Sequence, residues 1–148
     1  MASVSHNQPR RPVIVIVDEA YVDFAEESAV SLVNEYDNVL VIQTMSKSRS
    51  LAGMRIGFAI GHESLIQALI RMKDSFNSYP IDRLAMAGAI AAIEDDAYFK
   101  ETTTKILATR KKTTEALTNL GYRVLPSAAN HVFASHEKID AAYLYEQL

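Results

Sequence analysis

The strongest constraint on the fold is a pair of short apolar runs that both end in polar residues. Positions 13–17 read Val-Ile-Val-Ile-Val, and positions 39–43 read Val-Leu-Val-Ile-Gln. Continuous β-branched runs are typical of strands buried on both faces, so they predict a parallel sheet covered by helices. Residues 28–36 can form a short helix, and a right-handed crossover through it would place the two strands side by side. Their carboxyl ends would then share one edge of the sheet.

Reactive side chains follow both predicted strands. Asp18 and Tyr21 come after the first strand, Ser46 and Lys47 come after the second, and Arg55 lies further along the same loop. Ligands of open α/β sheets bind beyond the carboxyl ends of the strands. There the lysine could bond an aldehyde, the aspartate could hold a pyridine nitrogen protonated and the phenol could hydrogen-bond a phenolate oxygen. The arginine and the serine could hold a phosphate. Pyridoxal 5'-phosphate is the cofactor that carries all four of these groups.

Four sequence blocks occur in a fixed order between positions 13 and 134. They are Val-Asp-Glu-Ala-Tyr-Val-Asp-Phe at 17–24, Thr-Met-Ser-Lys-Ser-Arg-Ser-Leu-Ala-Gly-Met-Arg-Ile-Gly-Phe at 44–58, Ser-Tyr-Pro-Ile at 78–81 and Pro-Ser-Ala-Ala-Asn-His at 126–131. Together they resemble fold-type I aminotransferases, specifically the histidinol-phosphate aminotransferase branch. The resemblance implies an α/β fold: a partial, mostly parallel sheet with flanking helices from the large cofactor domain, followed by the start of the small C-terminal domain.

The resemblance also implies a role for each matched side chain. Lys47 corresponds to the Schiff-base lysine, Asp18 to the partner of the pyridinium nitrogen and Tyr21 to the partner of the ring hydroxyl. The implied cofactor-binding set is Asp18, Tyr21, Thr44, Ser46, Lys47 and Arg55, the last with Ser46 and Thr44 around the phosphate. Asn130 could approach the substrate, although a turn before a strand explains it equally well.

The implied reaction moves an amino group between histidinol phosphate, or a related amino acid, and a 2-oxo acid. The same central segment serves other fold-type I members, so a threonine-phosphate decarboxylase or an aromatic aminotransferase is an alternative. Complete members have a longer N-terminal part with a phosphate loop and a stacking aromatic ring, and a later arginine for the substrate carboxylate. We therefore expect the chain to be a central fragment of such an enzyme. The alternative that is not an enzyme is a noncatalytic structural fragment.

The remaining sequence predicts a division into three parts. These are a polar lead over 1–12, part of the cofactor domain over 13–96, and a linking helix with part of the small domain over 97–148. The strands predicted after the first two are an antiparallel one at 56–60 and two short ones at 122–125 and 131–134. One predicted helix spans 63–76, a second begins at Pro80 and includes the apolar segment 84–93, and a third spans 97–120 and stops at Gly121.

Composition excludes several other classes of function. The formal net charge is −3, with 15 basic and 18 acidic side chains, so no nucleic-acid footprint is present. The chain has no cysteine, and its four histidines lack metal-ligand spacing, so we expect no metal site. Apolar runs are too short for a membrane span, and the cytoplasm is the expected location. An Asp-Glu pair after a strand is also typical of ATPases, but no Gly-x4-Gly-Lys-Ser/Thr loop occurs.

Two further expectations concern surfaces. The helix over 84–93 has almost no polar face, and the strand at 13–17 or the strand at 39–43 would have an unpaired edge, so we expect a homo-oligomer that acts on a small-molecule substrate. Arg49 lies close to Lys47 in sequence, and we expect it to face solvent.

Overall fold

The computed structural model describes residues 13–148 and has an α/β fold. Its main sheet contains β1 (Val15–Asp18), β2 (Val39–Thr44) and β3 (Gly57–Gly61) in that order. Strands β1 and β2 are parallel, whereas β2 and β3 are antiparallel. The predicted crossover and the predicted antiparallel return are therefore confirmed. With one pair of each kind, this sheet is mixed rather than mostly parallel.

Burial differs sharply between the two apolar strands. In β2, Val39, Leu40 and Val41 are 7%, 5% and 0% exposed. In β1, Val15 is 46% exposed and Ile16 is 60% exposed. The prediction that the first strand is buried on both faces is wrong for residues 13–148. The reason is its position at the end of the sheet, where it has a neighbouring strand on one side only.

The short helix predicted at 28–36 is a 3₁₀ helix, and two further 3₁₀ helices lie in the segments that connect the strands. The three span Val22–Phe24, Ala29–Asn34 and Ala52–Met54. Ser28 begins the second one, because its hydroxyl accepts a hydrogen bond from the Val30 amide. At the far end of the sheet, a Cβ on Gly61 would lie 2.8 Å from the Leu40 side chain and 3.2 Å from the Val39 carbonyl oxygen. Glycine therefore allows β3 to approach β2 closely.

Two helices follow the main sheet. Helix α1 spans Glu63–Phe76, as predicted, and helix α2 spans Arg83–Glu94. Pro80 does not begin α2, contrary to the prediction. The helix begins at Asp82, whose carboxylate accepts hydrogen bonds from the Leu84 and Ala85 amides at 2.9 Å. Side-chain capping therefore decides where this helix starts.

The C-terminal part contains a long helix and a small second sheet. Helix α3 spans Asp96–Asn119, with the Asp95 carboxylate as its cap, and it ends before Gly121 at φ 88°. Strands β4 (Arg123–Val124) and β5 (Ala134–Ser135) pair antiparallel, and α4 spans Ala141–Gln147. The two predicted strands exist but are shorter than expected. The three-part division of the chain stays a prediction, and its segment 1–12 lies outside the described residues.

The best-packed apolar cluster lies beneath the loop that follows β2. It contains Met45, Ile56, Ala85 and Ala89, with Leu51 packed against it. The loop and α2 thus share one core. Within residues 13–148, no helix combines the length and apolar character needed to cross a membrane.

Candidate functional site

The polar ends of β1 and β2 lie at the same edge of the sheet. Asp18 is the last residue of β1 and is the register partner of Ile42, and Thr44 is the last residue of β2. The Glu19 amide continues the ladder by donating to the Ile42 carbonyl oxygen at 2.8 Å. Parallel pairing in this register is what puts the two polar segments next to each other.

Tyr21 and Lys47 are in direct proximity at this edge. The Lys47 ammonium nitrogen lies over the Tyr21 ring, 5.4 Å from its centroid. This is cation–π geometry, and it occurs although 26 residues separate the two in sequence. A second neighbour of the tyrosine is His131, whose ring meets the Tyr21 ring edge-on with 5.2 Å between centroids. The Tyr21 ring therefore has two neighbours that can orient it.

Thr44 and Ser46 form a hydroxyl pair before the lysine. The Thr44 hydroxyl lies 2.9 Å from the Ser46 hydroxyl, and it accepts a hydrogen bond from the Ser46 amide at 3.1 Å. It also donates to the Ile56 carbonyl oxygen at 3.2 Å. Two neighbouring hydroxyls held in this way are suited to bind oxyanion oxygens.

Arg55 ends the same loop in a left-handed conformation, with φ 55°. Its side chain is exposed and donates one hydrogen bond, to the Ala52 carbonyl oxygen at 3.1 Å. Among residues 13–148 it has no carboxylate partner. The guanidinium therefore keeps donors available for an anion.

Glu19, which sequence reasoning did not single out, supports the strand ends. Its carboxylate accepts hydrogen bonds from the Ala29 amide, the Gln43 amide group and the Ser28 hydroxyl. Burial acts to raise the pKa of Glu19, but these hydrogen bonds outweigh burial and hold the pKa below the usual glutamate value. Gln43, a polar residue that ends an otherwise apolar strand run, was the available signal.

Asp18 and Asn130 line different cavities. Asp18 and Tyr21 line a cavity of about 340 Å³ together with Ala128 and Ala129. Asn130 lines a neighbouring cavity of about 290 Å³ that also includes His131. The structure therefore does not bring Asn130 into the cavity of the aspartate. The edge-on contact between His131 and Tyr21 connects the two.

The prediction that Arg49 faces solvent is wrong. The residue is half-buried, its guanidinium lies 3.7 Å from the centroid of the Phe99 ring, and it donates to the Ala92 carbonyl oxygen at 2.5 Å. Sequence alone carried no signal for this, because the partners lie in α2 and α3, more than 40 residues away.

A second contact beside Lys47 was also missed. The Ser48 hydroxyl is buried and donates to the Asp23 carboxylate. Both residues sit inside the matched sequence blocks, next to the lysine and two residues after the tyrosine.

The groups at this edge fit a phosphorylated aldehyde cofactor chemically. Asp18 is exposed and accepts a hydrogen bond from the Ala20 amide at 3.0 Å with one oxygen. Lys47 is exposed too, and neither has an ion-pair partner in the described part of the chain. One edge of the sheet therefore holds an acid, an amine and a phenol. It also holds the oxyanion-binding set, which consists of Thr44, Ser46 and Arg55. Residues 13–148 contain no cluster of side chains suited to a metal ion.

Comparison with known proteins gives concordant matches. The model of the family "Aminotransferase class I and II" matches residues 3–148. Histidinol-phosphate aminotransferase 2 of Dechloromonas aromatica is 59% identical over 135 residues, which are 91% of this chain and 38% of that protein. The chain thus spans about two fifths of the length of this relative.

Solved structures match over a similar region. The histidinol-phosphate aminotransferase of Clostridium acetobutylicum has a TM-score of 0.81 at 30% identity, covering 90% of this chain and 41% of that one. The enzyme of the same name from Sinorhizobium meliloti, solved with pyridoxal-5'-phosphate, has a TM-score of 0.74 at 33% identity, covering 84% and 34%. A family match over nearly the whole chain, with the fold to support it, places the chain in the class I and II aminotransferase family.

Proposed function

We propose that this chain is the lysine-bearing segment of a pyridoxal-phosphate-dependent aminotransferase that transfers an amino group between histidinol phosphate and a 2-oxo acid. The observation that carries the proposal is the Lys47 ammonium, 5.4 Å from the centroid of the Tyr21 ring at the sheet edge that also holds Asp18. The cofactor found in the Sinorhizobium meliloti relative supports the choice of cofactor. The choice of histidinol phosphate rests on the names of the relatives, because related decarboxylases and aromatic aminotransferases would use the same side chains.

Asp18 and Tyr21 would bind the ring of the cofactor. Bound pyridoxal phosphate supplies an electron sink for the charge that develops at the substrate Cα. The Asp18 carboxylate accepts a hydrogen bond from the ring nitrogen and keeps the proton on it, since a negative charge close to that proton stabilises the charged form. The Tyr21 hydroxyl donates to the ring oxygen.

Lys47 would have two tasks at one position. Its amine would hold the cofactor aldehyde when no substrate is bound, and it would be released when a substrate amine takes its place. The released amine, in its neutral form, would take the proton from the substrate Cα and carry it towards the cofactor. A single flexible amine at this position could both accept that proton and return it.

The oxyanion-binding set would anchor the phosphate. The Ser46 hydroxyl would donate one hydrogen bond, the Thr44 hydroxyl would donate another by turning from the Ile56 carbonyl oxygen, and Arg55 would add charge-assisted hydrogen bonds that are about twice as strong as neutral ones. These groups hold the ring in place while the lysine is displaced. Asn130 is assigned to the substrate side, in the cavity beyond His131.

Covalent trapping tests the proposal directly. The chain is mixed with pyridoxal phosphate, reduced with borohydride and digested, and the modified lysine is identified by mass spectrometry. We expect the cofactor mass predominantly on Lys47, and a visible absorption band before reduction. Lys47→Ala should abolish both signals.

A matched control separates a specific site from surface reactivity. Lys112→Ala removes an exposed lysine from α3 and should leave the labelling of Lys47 unchanged. Labelling spread evenly over the lysines, with no loss in Lys47→Ala, would contradict the assignment. We expect weak binding, because the Asp18, Lys47 and Arg55 side chains are exposed in this structure and water competes for each of them.

We expect no measurable turnover of histidinol phosphate by the 148-residue chain. Its polar groups stand at an open edge, and misplacing a reacting group by about 1 Å can already cost on the order of 100-fold. A coupled assay with 2-oxoglutarate checks this. Turnover that disappears in Lys47→Ala would show that the site is more complete than its exposure indicates.

We also infer that the chain forms a homo-oligomer in the cytoplasm. The support for association is the apolar surface of α2, where Leu84 is 76% exposed and Ile93 is 58% exposed. Surfaces of this kind are uncommon on monomers and mark interaction sites. The cytoplasmic location is supported by a sequence without cysteine, which suits a reducing compartment.

A further inference from the structure

The side chains on the C-terminal side of Lys47 are fastened to two different parts of the fold. Ser48 is only 4% exposed, and its hydroxyl donates to the Asp23 carboxylate. Arg49 donates to the Ala92 carbonyl oxygen and covers the Phe99 ring. The exposed lysine is therefore followed by two anchored residues.

The backbone around Lys47 is also closed into a compact loop. The Ser50 amide donates to the Lys47 carbonyl oxygen at 3.3 Å, and the Leu51 amide donates to the Met45 carbonyl oxygen at 3.0 Å. Ser50 has a φ of 57°, a conformation that is uncommon outside glycine and asparagine. Such a conformation persists only where the surrounding contacts determine it.

Asp23 belongs to the same short unit as Tyr21. Tyr21 is the cap of the 3₁₀ helix Val22–Phe24, and its carbonyl oxygen accepts a hydrogen bond from the Phe24 amide at 3.0 Å. The contact between Asp23 and Ser48 therefore joins the turn that carries the tyrosine to the loop that carries the lysine. Ser48 directly follows Lys47, and Asp23 comes two residues after Tyr21, so the bond joins the neighbours of the two residues in the 5.4 Å contact.

We propose that Asp23 and Ser48 are positioning residues, whose hydrogen bond holds the Lys47 amine at the Tyr21 ring. Arg49 fixes the other side of the loop to α2 and α3. The inference rests on the proposed function, in that the positioned amine is the one that would bond the cofactor. Alanine would fill the buried place of Ser48 without needing a partner, so the hydroxyl contributes direction rather than packing.

A measurement without cofactor tests the geometry alone. The Lys47 ammonium nitrogen lies over the Tyr21 ring, so the NMR signals of the adjacent Cε protons should be displaced upfield of those of the other lysines in the 148-residue chain. Ser48→Ala and Asp23→Ala should each return these signals to the common position, and so should Tyr21→Leu. Asp23→Asn keeps an acceptor oxygen and should retain the displacement.

Matched control variants and a double-mutant cycle make this test specific. Glu26→Ala and Ser31→Ala remove an exposed acid and an exposed hydroxyl nearby and should change nothing. Because the two residues act through one bond, the double variant Asp23→Ala/Ser48→Ala should show no more than either single change. An undisplaced Lys47 signal in the wild type, or a displacement that survives in folded Ser48→Ala, would overturn the proposal. If Ser48→Ala does not fold, the exposed Asp23 decides through its Ala and Asn variants.

Trapping with pyridoxal phosphate then tests the chemical consequence. We expect Ser48→Ala and Asp23→Ala to label Lys47 about tenfold more slowly, and Asp23→Asn to label it at close to the wild-type rate. Equal rates in all variants would overturn the positioning role. If the wild type labels no lysine selectively, the proposed function fails, and the NMR displacement still decides whether the pair positions the amine.

Discussion

Strands β1 and β2 have almost the same apolar pattern and opposite surroundings. Ile16 and Leu40 are register partners, yet they are 60% and 5% exposed. Strand β2 has a neighbour on both sides, and the loop after it closes over the core of Met45 and Ile56. Strand β1 has one neighbour. The comparison teaches that an apolar run determines that a strand forms, whereas the number of its neighbours determines how much it is buried.

The largest effect should come from truncating the buried partner of this pair. Leu40→Ala removes a side chain against which Gly61 is closely packed, and it should lower the free energy of unfolding by about 2–5 kcal/mol. Ile16→Ala, at the paired position of β1, should cost less than about 1 kcal/mol. Urea unfolding of both variants measures the difference. Equal losses would mean that β1 is covered in solution.

The exposed apolar surface of α2 can be tested by measuring the association of copies of the chain. Leu84→Glu puts a charge on the 76% exposed position of α2, near a helix N-terminus that tolerates acids. If α2 forms the contact between copies, dissociation should become at least about tenfold easier, equivalent to about 1.4 kcal/mol. Analytical ultracentrifugation measures it.

Two controls identify the surface that associates. Tyr145→Glu, at an 86% exposed position of α4, should leave the dissociation constant unchanged. Ile16→Lys tests the alternative, in which copies pair through the edge of β1. A wild-type chain that stays monomeric at its highest soluble concentration would contradict both versions.

Arg49 links the loop after the buried strand β2 to helices α2 and α3. Arg49→Ala removes a hydrogen bond and a cation–π contact, so we expect a loss of about 1–2 kcal/mol in the free energy of unfolding. Arg71→Ala, on the exposed surface of α1, should change it by less than about 0.5 kcal/mol. Thermal unfolding followed by circular dichroism compares them. Similar small changes would mean that Arg49 is free in solution, as the sequence suggested.

The smallest effect concerns pH and the glutamate that braces both strands. The pKa of Glu19 is lower in the folded chain than in the unfolded chain, so the unfolded state binds the proton first. Its contribution to stability is therefore present above the unfolded pKa and is lost as pH falls through the folded pKa. Glu19→Gln should flatten the decline of stability in acid relative to Glu26→Gln. An identical acid profile for both variants would rule this out.

Much of the fold was accessible from local patterns. Helix α1 and the end of α3 before Gly121 follow from apolar spacing and from a residue with a strong local preference. The start of α2 was misplaced because a proline was weighted above the aspartate that caps the helix. The surroundings of Ile16 and Arg49 were misjudged for a different reason, since both depend on chain segments that lie far away in sequence.

The candidate site likewise has features that the sequence specifies and features that depend on distant parts of the chain. The sequence by itself determined which chemical groups are present, because the blocks around Asp18, Tyr21, Lys47 and Arg55 specify residue types, and residue types set acidity, nucleophilicity and charge. Only the tertiary structure decided that the Lys47 amine lies over the Tyr21 ring and that Ser48 bonds to Asp23. Those contacts depend on the parallel register of β1 and β2, and register is a property of paired strands that no single segment contains.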